Sequence, residues 1–158
     1  MNWRDRLSKE LPLLGHRNWI VVADAAYPAQ SRHGIETVAT GAEQQKVVKA
    51  VLAALDRAKH VRPTIYLDSE LQHVPEEHAR GIEAYRKELR RLLADRPVSV
   101  TPHEEIIARL DKAGELFRIL ILKTKLTLPY TSVFFQLECG YWTAEAERKL
   151  REVIRSAE

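Results

Sequence analysis

Five consecutive apolar residues, Trp19-Ile20-Val21-Val22-Ala23, stand in an otherwise polar part of the chain, and three of them are β-branched. Such a run reads as a strand covered on both faces, which belongs inside a sheet with layers on either side. Ionisable groups bracket it in the stretch GHRNWIVVADAAYPAQS: His16 precedes the run, Asp24 follows it directly, and Pro28 breaks the extended path. A strand this apolar has room for polar chemistry only at its two ends.

The remaining segments alternate between helical and extended patterns. Trp3–Leu14 reads as a short helix with Leu7, Leu11 and Leu14 on one side and a stop at Gly15. Ile35–Ala39 reads as a strand, Glu43–Lys59 as a helix with Val47, Val51, Leu52 and Leu55 on one stripe, and Thr64–Leu67 as another strand. Pro75, followed by Glu76 and Glu77, is expected to open a long charged helix ending near Ala94, because proline and acids suit a helix start. Val98–Val100, Arg118–Lys123 and Ser132–Leu137 complete the strands. Thr143 is expected to cap a last helix, Ala144–Ser156, with Leu150, Val153 and Ile154 on its buried side. The chain of 158 residues, 45% apolar, contains no repeat or linker that would divide it. Together these features predict an α/β fold: one three-layer α/β/α domain over residues 1–158, with a mainly parallel mixed sheet and an added C-terminal helix.

The segment TPHEE is the sharpest local signal. Thr101 as N-cap, Pro102 at the first helical position and Glu104 three residues after the cap form a capping box. His103 then sits in the first helical turn, where the positive helix end opposes protonation and makes the imidazole a usable proton acceptor. Ligands of α/β sheets collect at strand carboxyl ends and helix N-termini, so Asp24 and His103 are expected on one rim. His16 lies at the entry of its strand and need not share that rim within one chain. A pocket between subunits would bring it in.

Other classes are disfavoured. Lys and Arg number 25 against 22 Asp and Glu, a surplus of +3 without a dense basic block, so no nucleic-acid partner is expected. No secretory leader pattern opens the chain, and no apolar run approaches the roughly 20 residues of a membrane helix, so a cytoplasmic location with no membrane contact is expected. The single cysteine, Cys139, cannot form an internal disulfide and reads as a packed strand-end residue. His73 and His78 are five apart, where helical metal pairs stand three or four apart, so no metal site is expected.

The blocks LGHRNWIVVADAAYPAQS, VTPHEE and LPYTSVFF together resemble the D-ribose pyranase and L-fucose mutarotase family, in order and rough spacing over about Leu7 to Gly140. The resemblance implies a cofactor-free isomerase that opens and recloses a monosaccharide ring, assembled as a homo-oligomeric ring (octamer or decamer) with active sites between subunits. Position by position it implies that His16 is the principal acid/base group, that Asp24 orients it or the sugar, and that His103 is a second catalytic polar group. Tyr130 matches the family's substrate-contacting tyrosine, and Tyr27, Lys123 and Ser132 are grouped with it as expected substrate contacts. The chain also departs from the family pattern. Ser132 stands where the family has an asparagine, Thr124-Lys125-Leu126 where it has a Thr-Gly-Glu type segment, and Ala26 where the mutarotase branch has a histidine. Taken singly, each residue has a plainer reading: His16 as a cap, Asp24 as a turn former, His103 as a helix-start hydrogen-bonder and Tyr130 as a core or interface tyrosine. The alternative for the whole is a sugar- or metabolite-binding module of the same fold without catalysis.

Overall fold

The computed structural model describes residues 2–158. Its centre is a six-stranded sheet in the order β2-β5-β1-β6-β3-β4. The strands are β1 (Trp19–Ala23), β2 (Ile35–Ala39), β3 (Val61–Asp68), β4 (Val98–Thr101), β5 (Ile119–Lys123) and β6 (Val133–Cys139). β1, β2 and β5 run parallel to one another, as do β3 and β4, while β6 runs antiparallel to both β1 and β3. Five strands therefore end on the same rim, and β6 begins there. The domain is α/β with a mainly parallel mixed sheet, as the alternation of elements predicts.

The apolar run is the hinge of this arrangement. All five residues of β1 are buried, none more than 1% exposed. Successive side chains point to opposite faces, so Ile20 and Val22 join a core with α1 (Trp3–Glu10), α2 (Gln44–Arg57) and α3 (Ile82–Leu93). Trp19, Val21 and Ala23 join a second core with Ile106 and Leu110 of α4 (His103–Ala113). Each such aliphatic burial contributes about 1.5–3 kcal/mol, and together they bind helices to both faces.

Two helix starts and the packing of the last helix differ from expectation. No helix starts at Pro75: residues 75–81 form turns, and α3 begins only after Gly81, whose φ of 101° breaks the helical path. Glu76 acts from outside the helix, its carboxylate accepting the N–H groups of Gly81 and Glu83. At α4, Thr101 belongs to β4 and makes no cap; its place is taken by a side chain from a different segment, described below. The last helix, α5 (Ala144–Ala157), is capped by Thr143 as expected, but it has no buried residue. Leu150, Val153 and Ile154 are 40%, 66% and 41% exposed, because α5 leaves β6 without returning to the sheet.

The exit from β6 is tight. A Cβ placed on Gly140 would lie 2.5 Å from the carbonyl oxygen of Lys59 and 2.8 Å from the amide nitrogen of Val61, both backbone atoms that cannot rotate aside. Gly140→Ala is therefore expected to destabilise the fold by about 1–3 kcal/mol. Urea unfolding of the variant checks this, and an unchanged midpoint would contradict the packing described.

Candidate active site at the carboxyl rim

The strand register aligns the rim. Val133 of β6 stands opposite Val22 on one side and Leu67 on the other, so Asp24, Ser132 and Asp68 lie just beyond the same row. Thr101, paired with Asp68, leads into α4 and His103. The chain leaves β1 toward one edge of the sheet and β3 toward the other, making this the switch point where open α/β sheets bind ligands. With β6 between them, β1 and β3 stand roughly 10 Å apart. A cavity of about 870 Å³ opens here, lined by residues that include Asp24, Tyr27, His103, Leu128 and Tyr130. Its size falls within the roughly 300–1,000 Å³ typical of small-molecule sites.

His103 is the first residue of α4 and is held from two directions. The Glu70 carboxylate accepts its backbone N–H at 3.0 Å, supplying the cap that Thr101 does not. Its ring nitrogen Nδ1 lies 3.0 Å from Asp68 Oδ1, and Nε2 has no hydrogen-bond partner among the described residues. The ring also meets Tyr130 edge to face, with centroids 5.5 Å apart. Tyr130 adopts a left-handed φ of 59°, a conformation that costs a bulky residue energy.

Asp68 was not singled out in the sequence, yet it is the most unusual group of the site. It is 1% exposed, and its Oδ2 is buried with no hydrogen-bond partner among the described residues. Burial pushes its carboxyl up to about 6, and the hydrogen bond and charge of His103 offset only part of that. Glu70 behaves oppositely. Partial burial raises it, but the His103 N–H, its own N–H and the Ser69 hydroxyl outweigh that and hold it below the usual carboxylate range. The hint available in sequence is a repeated junction: TIYLD closes a strand on an aspartate just as WIVVAD does.

Asp24 is fixed from behind by Ser132, whose hydroxyl donates to Oδ1 at 2.7 Å and accepts the Asp24 N–H at 3.2 Å. Ser132 is 3% exposed and supports Asp24 without lining the cavity of a single chain. Tyr27 reaches the cavity wall; its burial, followed by the charges of Asp111, Asp68 and Asp24, pushes the phenol upward and keeps it a hydroxyl donor. Lys123 closes β5 but does not line the cavity. Beneath the rim, Gln44 Nε2 donates to the Thr131 carbonyl and its Oε1 accepts from Thr124, while the Tyr85 hydroxyl donates to that same carbonyl. This buried network anchors the loop that presents Tyr130.

His16 lies elsewhere. It is exposed in the turn before β1, and β1 alone, at roughly 3.3 Å per residue, puts about 16 Å between its ends. One chain therefore brings Asp24, His103, Tyr27 and Tyr130 together and leaves His16 on the opposite rim. No group of three or more His, Cys, Asp or Glu side chains that could hold a metal ion occurs among the described residues.

Comparison with known proteins agrees with this architecture. A model of the RbsD / FucU transport protein family matches residues 4–137. Among solved structures, Bacillus subtilis RbsD complexed with D-ribose superposes with a TM-score of 0.58 at 20% identity, covering 84% of this chain and 91% of that one. The fucose mutarotase in complex with L-fucose from Streptococcus pneumoniae gives 0.56 at 17%, covering 84% and 91%. FucU from Bifidobacterium longum gives 0.55 at 18%, covering 85% and 94%. No curated protein matches the chain.

The raised carboxyl of Asp68 has a consequence for stability. A folded-state value near 6, above the ordinary 3.8, means that the folded chain binds this proton more tightly than the unfolded chain does. The contribution is complete below about pH 4 and is lost as pH rises through about 6. Asp68→Asn removes the ionisation and is expected to be more stable than the wild type at pH 7.5, by at most about 3 kcal/mol, with the gap closing by pH 4. Urea unfolding of both proteins across this range decides it, and a variant weaker at pH 7.5 would contradict the assignment.

Proposed function

Because the chain belongs to the RbsD / FucU transport protein family, we propose that it catalyses the opening and reclosure of a free monosaccharide ring at the carboxyl-rim cavity. The observation that supports this best is a half-buried imidazole, tethered through Nδ1 with Nε2 unpartnered, sharing one cavity with the Asp24 carboxylate. Ring opening needs a base at the anomeric hydroxyl and an acid at the ring oxygen. His103 Nε2 takes the proton from the anomeric oxygen as the bond between the anomeric carbon and the ring oxygen breaks. The ring oxygen receives a proton and becomes a hydroxyl, and the free carbonyl turns before the same steps run in reverse. Asp24, held by Ser132, accepts a sugar hydroxyl and fixes the ring; the Tyr130 and Tyr27 phenols supply further contacts.

The acid is assigned to His16 of a neighbouring copy. Within one chain His16 is too far away, and the cavity lacks a second imidazole of its own. This assignment makes the active form a homo-oligomer in which the amino-end rim of one chain faces the carboxyl-end rim of the next. A ribose- or fucose-like pentose or deoxyhexose is the proposed substrate, and a ring of copies in the cytoplasm the proposed setting. The chemistry needs protons and orientation only, so no cofactor is assigned.

Saturation-transfer NMR on D-ribose and L-fucose tests the reading. The wild type is expected to accelerate exchange between ring forms of one of them, and His103→Ala to lose about 10²–10⁴-fold of that acceleration. His16→Ala and His103→Ala are each expected to be inactive alone but to recover partial activity when mixed and reassembled, since some mixed sites then hold both imidazoles. Sugar binding without accelerated exchange would favour a binding module, and failure of the mixture to recover activity would remove His16 from the site.

A further inference from the structure

We propose that Asp68 is a positioning residue: it holds His103 in the Nδ1–H tautomer, so that Nε2 presents its lone pair to the cavity. It then carries the counter-charge when the ring takes its second proton. The reaction invoked rests on the monosaccharide reading above; the tautomer is argued from the Asp68–His103 contact with the carboxylate ionised.

Three observations converge on it. Asp68 Oδ1 lies 3.0 Å from Nδ1, and an ionised carboxylate can only accept, so the ring nitrogen facing it is the donor. Asp68 Oδ2 is buried without a partner. Buried carboxylate oxygens are ordinarily hydrogen-bonded, and here the one side-chain bond of Asp68 runs to the imidazole. The ring also has little freedom to turn away, because Glu70 holds the His103 backbone N–H and Tyr130 packs against the ring. Asp68 and Glu70, both leaving β3, thus secure the side chain and the main chain of the same residue.

The surroundings make the pairing selective. The groups acting on Asp68 are His103 from α4, Glu70 from the turn after β3 and Asp24 from the end of β1, and His103 is the one that favours its ionised form. Tyr27 after β1 and Tyr85 of α3 feel its charge but stay protonated. Folded-state burial lifts Asp68 to about 6, and its hydrogen bond to His103 offsets part of that. In the reaction, Nε2 gains the proton of the anomeric hydroxyl and the ring becomes imidazolium. Asp68 remains ionised beside it, and the proton returns to oxygen on reclosure.

The full-length assembled protein, labelled with ¹⁵N-histidine, allows a direct test by long-range ¹H–¹⁵N NMR at pH 8. His103 is expected to be protonated at Nδ1 and bare at Nε2, a preference that Asp68→Asn abolishes. The same substitution is expected to lower kcat by about 100-fold or more with little change in KM. It should also shift the acidic limb of kcat/KM downward by about one pH unit, because the negative charge favouring protonation is gone. A purely structural Asp68 would leave that limb in place. A wild-type His103 carrying its proton on Nε2, or an Asp68→Asn variant with unchanged limb and kcat, would overturn the proposal. Wild-type protein that accelerates exchange of no sugar would instead sink the functional reading, and the tautomer would still decide the role of Asp68.

Discussion

The burial of β1 on both faces governs the rest of the molecule. A strand with 1% exposure or less at every position cannot carry a polar side chain in its middle, since an unpaired polar group there costs several kcal/mol. Chemistry is therefore displaced to the strand ends, where the backbone turns and water or ligand can enter. The parallel partners of β1 add their own carboxyl ends to the same rim, and the antiparallel β6 contributes the hydroxyl that steadies Asp24. The cavity follows from the topology: helices cover both faces of the sheet, and the crevice between β1 and β3 stays open.

On that rim the protein maintains one costly group. Burial makes ionisation of Asp68 costly, one of its oxygens is bare, and its hydrogen bond runs to His103. The left-handed Tyr130, packed against the same imidazole, is a second local cost at the same place. Both are offset by the apolar burial on either side of the sheet and by the Gln44, Thr124 and Tyr85 network under the loop.

Much of this was legible in sequence, for identifiable reasons. Short apolar runs rich in β-branched residues, such as WIVVA, favour a buried strand, and the alternation of strands with helices gives the fold class. Asp24 and His103 adjoin a strand end and a helix start that local patterns define, and they do share a rim. Residues whose roles depend on distant partners were harder to see. Glu70 caps α4 from 33 positions away and Asp68 meets His103 from 35, separations that no spacing rule spans. Glu76 resembles an acid inside a first helical turn, although its carboxylate reaches forward past a left-handed glycine. The stripe of Leu150, Val153 and Ile154 looks the same whether a helix packs or stands free, and here it stands free.

His16 and Asp24 occupy opposite ends of one strand, so the proposed chemistry needs more than one copy of the chain. A crystal structure of the assembled protein grown with D-ribose or L-fucose tests this most directly. The expected result is a sugar between Asp24 and His103, its anomeric oxygen within hydrogen-bond reach of Nε2, with His16 of a neighbouring copy on the far side of the ring. A sugar bound away from His103, or a neighbouring copy that closes the cavity without presenting His16, would contradict it.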